Sequence, residues 1–301
     1  MRHGHSRGKQ RWWCRACGRS FVQPGLSYRR DRQRIWFERW IVEGYSVRQL
    51  VVQSGYSRNT IQRIISYWLS RPPQISADLR VFKHLVIDGT YLLKRRTAVV
   101  GIADPVCKCL VVGCYGLKEG EARMQEFCMR LRAQGLLPTS VTIDGLKQVQ
   151  TMLERVWPEA LIQRCLVHIQ RQGLAWCRRD PHTTAVKHLR KLFEHVTHIG
   201  SHAQRDRFLT DWQQWEQRFG QPIAARPTRG KVFSDVKRAR SLLLYALPYM
   251  FRYLDTPAIP SSTNWIEGYF SRLKARYRQH RGLAPIKRTN YFAWYFHLCK
   301  T

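Results

Sequence analysis

Acidic residues are scarce in this chain of 301 residues. Asp and Glu number 20 against 52 Lys and Arg, which gives a formal net charge of +32 at pH 7. An excess of this size excludes the ordinary surface of an enzyme that acts on small neutral molecules, and it indicates a polyanionic partner. We predict double-stranded DNA. A membrane surface is the less favoured alternative, because the basic residues are spread along the chain instead of forming one amphipathic helix.

Long apolar runs are missing as well. No stretch approaches the roughly 20 apolar residues of a membrane-spanning helix, and the basic N-terminus is not followed by the apolar core of a signal peptide. We therefore expect a cytoplasmic, nucleoid-associated protein with no membrane partner. Nine cysteines are present, and without a secretion signal we expect reduced thiols instead of disulfides.

The N-terminal residues contain half of a zinc-binding pattern. Cys14-x-x-Cys17 follows a basic and aromatic stretch, as in the second half of a zinc ribbon. A closed structural zinc site needs four ligands, and a CxxC pair upstream of Cys14 is missing. His3 and His5 could replace that pair, although their spacing is unusual. We predict a partial zinc ribbon over residues 1–24, with Zn²⁺ at Cys14 and Cys17 as an open question.

Residues 25–73 have the pattern of a helix-turn-helix DNA-binding domain. Gly44 and Gly55 separate three amphipathic segments, and Ser46 and Ser57 are suited to cap the second and third helices. The third helix is the predicted recognition helix. Its polar residues, which we predict to contact the major groove of DNA, are Arg58, Asn59, Gln62 and Arg63. The alternative is a three-helix bundle with no role in DNA binding.

From residue 80 onward the apolar pattern changes to that of strands. We predict strands over 81–90, 97–103 and 109–115, a helix over 119–134, a strand over 139–143, a helix over 146–156, and a fifth strand with its exit over 160–169. This order is that of an α/β, ribonuclease-H-like (retroviral-integrase-like) catalytic domain, which we place over residues 80–301. Residues 171–255, approximately, form an all-helical insertion. In this topology the first and fourth strands are neighbours.

Three of the scarce acids stand at informative positions. Asp88-Gly89 and Asp144-Gly145 each end a predicted strand, and Glu267 lies in a predicted helix that Thr263 or Asn264 caps. Carboxylates are rarely buried unless they are paired or bind a metal, and their oxygens suit Mg²⁺ or Mn²⁺. Together the three could hold two ions for phosphodiester chemistry. Taken singly, each acid is better explained as a turn or cap residue.

Two further groups of residues accompany the acids. Arg272, Lys274 and Arg276 follow Glu267 on its helix and are predicted to contact DNA. Cys165-Leu-Val-His168 lies at the end of the predicted fifth strand. This pair could ligate zinc or form a Cys/His nucleophile, but two ligands do not close a zinc site and no oxyanion motif is evident. The residues alone leave the role of the pair open.

The combination of motifs resembles the Mutator-like superfamily of DDE transposases, which bacterial insertion sequences encode. The matching segments are IDGT at Asp88, TIDG at Asp144, QRCLVH with Cys165 and His168, and TNWIEGYFSRLK at Glu267 followed by HRG. The resemblance implies that the two aspartates and the glutamate are the catalytic residues and bind two Mg²⁺ or Mn²⁺ ions. It implies that Cys165 and His168 lie beside them, as does Asn264, the polar residue before the glutamate.

The resemblance also implies an activity. Such a protein would bind the terminal inverted repeats of its element as a homo-oligomer, hydrolyse the 3′ strand ends, and transfer the freed 3′-OH to target DNA. Two rivals share some of these features. One is a ribonuclease-H-like nuclease without strand transfer, and the other is a non-catalytic DNA-binding regulator derived from a transposase.

Overall fold

The computed structural model divides into two compact units. It describes residues 1–22, 26–73, 78–92, 97–120, 122–225, 231–280 and 282–301. The first unit combines Met1–Pro73 with Arg276–Leu298, and the second combines Gln74–Ala275 with Cys299–Thr301. The boundary predicted between residues 24 and 25, and Arg281 of the HRG motif, lie outside the described residues. Among the helices that are described, none has the length and apolarity to cross a membrane.

The first unit begins with a small antiparallel sheet. Its strands, in spatial order, are β1 (Arg2–Ser6), β2 (Lys9–Trp13) and β3 (Ser20–Val22). Cys14 and Cys17 lie in the turn between β2 and β3, and hydrogen bonds from the Cys17 backbone and side chain lower the pKa of the Cys14 thiol. Hydrogen bonding of this kind favours a thiolate. Zinc binding at this turn stays a prediction.

Three helices follow the sheet: α1 (Leu26–Val42), α2 (Val47–Ser54) and α3 (Arg58–Leu69). The predicted caps of α2 and α3 are confirmed. Ser46 accepts a hydrogen bond from the Gln49 backbone N–H, and the Gln49 side chain accepts one from the Ser46 N–H. Ser57 likewise accepts from the Thr60 N–H. Gly55 ends α2 at φ +69°, a left-handed conformation that glycine adopts without steric cost.

Helix α3 has one apolar and one polar face. Ile61, Ile64 and Ile65 are buried, as expected from their spacing. The four residues predicted to contact DNA, Arg58, Asn59, Gln62 and Arg63, are all exposed. This face is available to a ligand, and its use in DNA recognition stays a prediction.

The C-terminal helix α13 (Pro285–Leu298) completes the first unit. The indole Nε1 of Trp294 donates to the Trp68 carbonyl at 2.9 Å, and the amide of Asn290 donates to the Leu69 carbonyl at 2.9 Å. Both carbonyls lie in the last turn of α3, where helical N–H donors run out, and the Trp68 carbonyl also accepts from the Arg71 N–H at 3.0 Å. The C-terminal helix thus caps and covers the helix that we predict to recognise DNA.

Residues 276–298 therefore group with the N-terminal helices, although the sequence placed them in a domain spanning 80–301. Buried His280 makes a second attachment, because its Nε2 donates to the Trp40 carbonyl at 3.0 Å. Burial lowers the pKa of His280 to about 4, so the ring is neutral at physiological pH. The sequence pattern contains no sign of this long-range pairing.

The second unit is built on a five-stranded sheet. Its strands are β4 (His84–Leu92), β5 (Thr97–Asp104), β6 (Cys109–Tyr115), β7 (Ser140–Ile143) and β8 (Leu161–Arg164). The spatial order is β6-β5-β4-β7-β8. β6, β5 and β4 are antiparallel, whereas β7 runs parallel to both β4 and β8. The predicted meander and the predicted contact between the first and fourth strands are confirmed.

Two helices pack on this sheet, α4 (Ala122–Ala133) and α5 (Lys147–Val156). Their apolar faces join the strands in one core, which includes Met124, Leu131 and Leu153 from the helices and Leu85 and Ile87 from β4. Leu85, Val86 and Ile87 form a continuous apolar run in β4, because this strand is central in the sheet and its side chains are buried. The core fixes the edge of the sheet at which the acids lie.

A helical region follows β8, with its own core around the stacked rings of Trp212 and Trp215. Its elements are α6 (Leu166–Cys177), α7 (Thr184–His195), α8 (His202–Trp215), a π-helical segment (Glu216–Gly220), α9 (Gln221–Ala225), α10 (Lys231–Ala246) and α11 (Arg252–Asp255). Helix α12 (Asn264–Tyr277) comes next.

Two of the predicted strand boundaries were wrong. β4 does not end at Asp88, because Asp88 pairs with Gly101 and Gly89 with Val100, so that backbone hydrogen bonding to β5 extends the strand to Leu92. The fifth strand is shorter than expected and ends at Arg164. Cys165 and His168 consequently lie in the first turn of α6 instead of at the end of a strand.

The attachment of α13 predicts that its core residues stabilise the N-terminal helices. Trp294 is only 4 % exposed and packs edge-on against Phe37. We expect Trp294→Ala to lower the free energy of unfolding of the first unit by about 3–5 kcal/mol, since a large aromatic side chain and a hydrogen bond are lost. Scanning calorimetry of the full chain measures this, with Ile286→Ala, at a 74 % exposed position of the same helix, as the control. Equal transitions in the two variants would contradict the packing argument.

Candidate active site

Asp88 lies in β4, and Asp144 directly follows the neighbouring strand β7. β4 and β7 pair Val86 with Thr142, and the same register continued for two residues sets Asp88 beside Asp144. Asp88 is 7 % exposed and accepts a hydrogen bond from the Gly89 N–H at 2.8 Å. Burial, together with the charges of Asp144 and Glu267, raises the pKa of Asp88 to about 7. Asp88 therefore interacts electrostatically with both Asp144 and Glu267.

A glycine on β5 brings the third acid to the pair. Gly101 is opposite Asp88, and a Cβ at this position would lie 2.9 Å from the Cδ1 of Ile266 on α12. Such a distance is shorter than any ordinary carbon–carbon contact. Because position 101 has no side chain, the first turn of α12 packs directly on the sheet. Glu267, in that turn, thus comes within electrostatic range of Asp88.

Helix α6 presents two cationic groups to Glu267. The Nε2 of His168 is 3.6 Å from one carboxylate oxygen, and an Nη of Arg171 is 3.8 Å from the other. The oxygen near His168 is buried and accepts no hydrogen bond in the described part of the chain. Both pairs are looser than direct hydrogen bonds. They hold the carboxylate in place while leaving its lone pairs open to another ligand.

Cys165 and His168 are joined by hydrogen bonds to the residue before α12. The Cys165 sulfur is 3.3 Å from the His168 Nδ1, and it accepts from the Thr263 N–H at 3.3 Å and the Thr263 hydroxyl at 3.5 Å. Burial by itself would raise the pKa of Cys165, but these hydrogen bonds outweigh it and lower the pKa. The bond to Cys165, with the nearby negative charges, raises the pKa of His168 to about 9. The contact thus favours the negative form of Cys165 and the positive form of His168.

This geometry assigns the pair a positioning role. Cys165 is fully buried, so its sulfur cannot reach a substrate as a nucleophile. Its bonds to Thr263 join others that fasten the chain before α12 to the ends of β7 and β8: the Leu166 N–H donates to the Ser261 carbonyl at 3.0 Å, and the Thr142 hydroxyl donates to the Pro260 carbonyl at 2.7 Å. The start of the Glu267 helix is thereby held at the edge of the sheet.

Glu119 was not identified from the sequence. It lies in the loop between β6 and α4, and its carboxyl carbon is 2.9 Å from the position of a Cβ built on Gly89. Burial, together with the charges of Asp144 and Asp88, raises the pKa of Glu119 to about 8. The sequence predicts a helix over 119–134 with Glu119 as its first residue, whereas α4 begins at Ala122. Only its position before a glycine, in a chain with few acids, could have drawn notice.

Arg164 was also missed. Its guanidinium is buried at the end of β8 and donates to the Asp144 carbonyl at 3.4 Å. It fills the space above Gly145, where any Cβ would overlap it, and Gly145 has φ +105°, which few other residues tolerate. Burial lowers the pKa of Arg164, opposed by the Asp144 charge. The Arg164 side chain thus packs against the Asp144-Gly145 turn and leaves no room for a side chain at position 145.

The remaining predicted residues lie farther along α12. Asn264 begins the helix and is exposed. Arg272 and Arg276 are exposed and Lys274 is half-buried, and Arg276 groups with the first unit. The structure therefore brings together Asp88, Asp144, Glu267, Cys165 and His168, and adds Glu119, Arg164, Arg171 and Thr263.

The donor set suits a hard divalent cation. Two of its carboxyl groups have raised pKa values, and one buried Glu267 oxygen accepts no hydrogen bond within the described residues. A divalent cation would relieve this repulsion, and oxygen ligands are those that Mg²⁺ and Mn²⁺ take. In the described ranges, however, no three His, Cys, Asp or Glu side chains are already arranged to hold a metal ion. Binding would require the carboxylates to turn toward a common point.

Two comparisons with known proteins, one with a family and one with a curated relative, agree with each other. Residues 58–285 match the family described as "Transposase, Mutator family". A curated relative is the transposase for insertion sequence element IS905 of Lactococcus lactis subsp. lactis (strain IL1403), which is 24 % identical over 199 residues. That alignment covers 63 % of this chain and 46 % of the relative, so the chain spans about half the length of the curated relative it matches.

The raised pKa values predict how stability changes with pH when no divalent metal is present. Asp88 and Glu119 release their protons near pH 4 in the unfolded chain but at about 7 and about 8 in the folded protein. The folded state binds more protons in between, so stability falls as pH rises from about 4 to about 8. His168⁺ acts in the same direction: its contribution is complete below 6.5 and is lost as pH rises through about 9.

We therefore expect the melting temperature, measured in EDTA, to fall between pH 5.5 and pH 8.5. The Asp88→Asn/Glu119→Gln double variant should show a shallower fall, because two of the titrating groups are gone. The difference between the two slopes is the test, since it cancels groups elsewhere in the chain. Parallel curves would mean that these acids do not titrate together in the folded site.

Proposed function

The chain belongs to the Mutator family of transposases, and we propose that it cuts and joins DNA at a metal-dependent site formed by Asp88, Asp144 and Glu267. The observation that supports this most is the convergence of the three acids, which lie 56 and 123 residues apart in sequence (144 − 88 and 267 − 144) yet interact at one edge of the sheet. We also propose a ribonuclease-H-like fold for the second unit, supported by the strand order β6-β5-β4-β7-β8.

The proposed residues have distinct tasks. Asp88, Asp144 and Glu267 would bind Mg²⁺ or Mn²⁺, as two ions. When bound, such ions activate a nucleophilic oxygen and stabilise the leaving oxygen of a phosphodiester. His168 and Arg171 would orient Glu267, and the bonds from Cys165 to Thr263 would hold its helix in place. The large excess of Lys and Arg would neutralise the phosphates that approach this acidic site.

Two successive substitutions at phosphorus follow from this site. In the first, water attacks the phosphodiester at the 3′ end of the element, forming a P–O bond as the bond to the 3′ oxygen breaks. In the second, the freed 3′-OH attacks a phosphodiester of the target and displaces the target's own 3′ oxygen. Each step exchanges one P–O bond for another, so neither a high-energy cofactor nor a covalent protein–DNA intermediate is needed.

We propose that the first unit recognises the element ends as a helix-turn-helix. The exposed polar face of α3 is the surface that supports this, and the terminal inverted repeats are the DNA that it would read. Pairing two ends would require more than one copy of the chain, so we propose a homo-oligomer assembled on DNA. Arg272, Lys274 and Arg276 would contact the DNA backbone beyond Glu267.

Catalysis is tested with a duplex that contains the element's own end. With Mg²⁺ or Mn²⁺, purified protein should cleave the end and join it to target DNA. Asp144→Asn should reduce both rates by about a thousand-fold or more, equivalent to about 4 kcal/mol of transition-state stabilisation, without loss of DNA binding. Asp211→Asn, on the exposed face of α8, is the matched control.

The product pattern separates the rival functions. Cleaved but never joined ends would indicate a nuclease. Specific binding by the unaltered protein, with neither cleavage nor joining in either metal, would indicate a regulator. Unchanged rates in Asp144→Asn would reject the proposed site itself.

Recognition by α3 makes a separate prediction. Arg58→Ala should weaken binding to the element end by about 5- to 150-fold if the side chain contacts a base, an energy of about 1–3 kcal/mol, and binding to unrelated DNA should change much less. Lys287→Ala removes the same charge from an exposed position of α13 and should affect both DNAs equally and weakly. Fluorescence anisotropy at two salt concentrations distinguishes the cases. If Arg58→Ala behaves like Lys287→Ala, α3 is not the recognition helix.

A further inference from the structure

The loop that holds Glu119 is anchored on both sides of this residue. Leu117 is 2 % exposed and belongs to the core beneath the sheet. Gly120 adopts φ +76°, and a Cβ there would lie 3.3 Å from side-chain atoms of Leu146 and Gln148. Leu146 and Gln148 follow Asp144 closely in the chain. The loop is therefore held between the core and the segment after the second aspartate, and Glu119 has a defined place.

Glu119 occupies the space that Gly89 leaves. Gly89 lies within β4 and pairs with Val100, and its φ lies outside the left-handed region, so its backbone does not demand glycine. A Cβ at position 89 would nevertheless lie 2.9 Å from the carboxyl carbon of Glu119 and 3.0 Å from one of its oxygens. The glycine after Asp88 thus makes room for a carboxylate, which is a steric reason for the Asp-Gly pair.

No cation compensates Glu119 within the described part of the chain. No Lys, Arg or His lies in ion-pair distance of its carboxylate, and no hydrogen-bond donor reaches it there. The groups that act on it most are the two aspartates, with His168 as a weaker opposing charge. A half-buried carboxylate beside two others costs stability unless a cation is present. Such a cost is typical of residues retained for function.

We propose that Glu119 is a fourth carboxylate of the metal-binding site, where it binds a divalent cation together with Asp88 and Asp144. This inference rests on the proposed function, since it concerns the same site. It assigns to the residue a direct part in holding the metal. It also gives a reason for the glycine at position 89, which leaves room for the carboxylate.

Metal affinity, not activity, is the decisive measurement. We would titrate the full chain, without DNA, with Mn²⁺ by isothermal titration calorimetry. Glu119→Gln keeps the shape of the side chain and removes its charge, and we expect it to weaken Mn²⁺ binding by about ten-fold or more. Glu126→Gln, on an exposed position of α4, makes the same chemical change away from the site and should leave the affinity unchanged. Asp88→Asn and Asp144→Asn serve as reference variants.

A merely structural role predicts a different pattern. If Glu119 only filled space, Glu119→Gln would retain the Mn²⁺ affinity of the unaltered protein and would gain as much thermal stability from Mn²⁺. If it binds metal, the variant melts at the same or a higher temperature in EDTA, because repulsion is relieved, yet gains less thermal stability from Mn²⁺. Glu119→Ala, which needs no space above Gly89, gives the same comparison should the glutamine pack poorly.

The outcomes are distinguishable from those of the proposed function. Weaker binding in Asp88→Asn and Asp144→Asn but not in the Glu119 variants would overturn this inference and leave the three-acid site intact. Unchanged binding in all of them would reject both. Weaker binding in both Glu119 variants, with Glu126→Gln unaffected, supports the fourth carboxylate.

Discussion

Burial of carboxyl groups close to one another at one edge of the sheet is the constraint on which the candidate site depends. Burial, together with repulsion from the neighbouring acids, raises the pKa values of Asp88 and Glu119, so the fold holds these groups at a cost in stability. Burial of the sheet core and of the first turn of α12 must offset that cost. A divalent cation bound at this edge would relieve part of that cost, in keeping with the proposed metal-dependent site.

Glycines and hydrogen bonds to sulfur set the geometry of this edge. Gly101 lets α12 approach the sheet, and Gly89 leaves room for Glu119. The Cys165 sulfur accepts hydrogen bonds from Thr263 just before α12, so that this buried sulfur helps to hold the start of the helix that carries Glu267. These contacts support a positioning role for Cys165, whose buried sulfur fastens the residue before the helix that carries Glu267.

The chain as a whole carries a large positive charge, in contrast to the negative carboxylates of the site. With 52 basic and 20 acidic residues, the chain carries a net charge that would attract DNA, whereas the sheet edge holds several of its few acids. Phosphates can thus reach a cluster of carboxylates that would otherwise repel them. Specific recognition needs a further device, and the exposed polar face of α3, supported from behind by α13, is the surface suited to it.

Local patterns in the sequence determined the kind and order of most elements. Alternation of apolar residues, the capping serines at 46 and 57, and the Asp-Gly pairs depend on neighbours within a few residues, so they could be interpreted without a structure. The adjacency of β4 and β7 followed from topology, and with it the meeting of Asp88 and Asp144. Only the tertiary structure placed Glu119, Arg164 and Thr263 at the site and joined α13 to the N-terminal helices. These contacts link residues far apart in the chain, and they depend on packing at positions such as Gly89 and Gly101, where the absence of a side chain is what allows the approach.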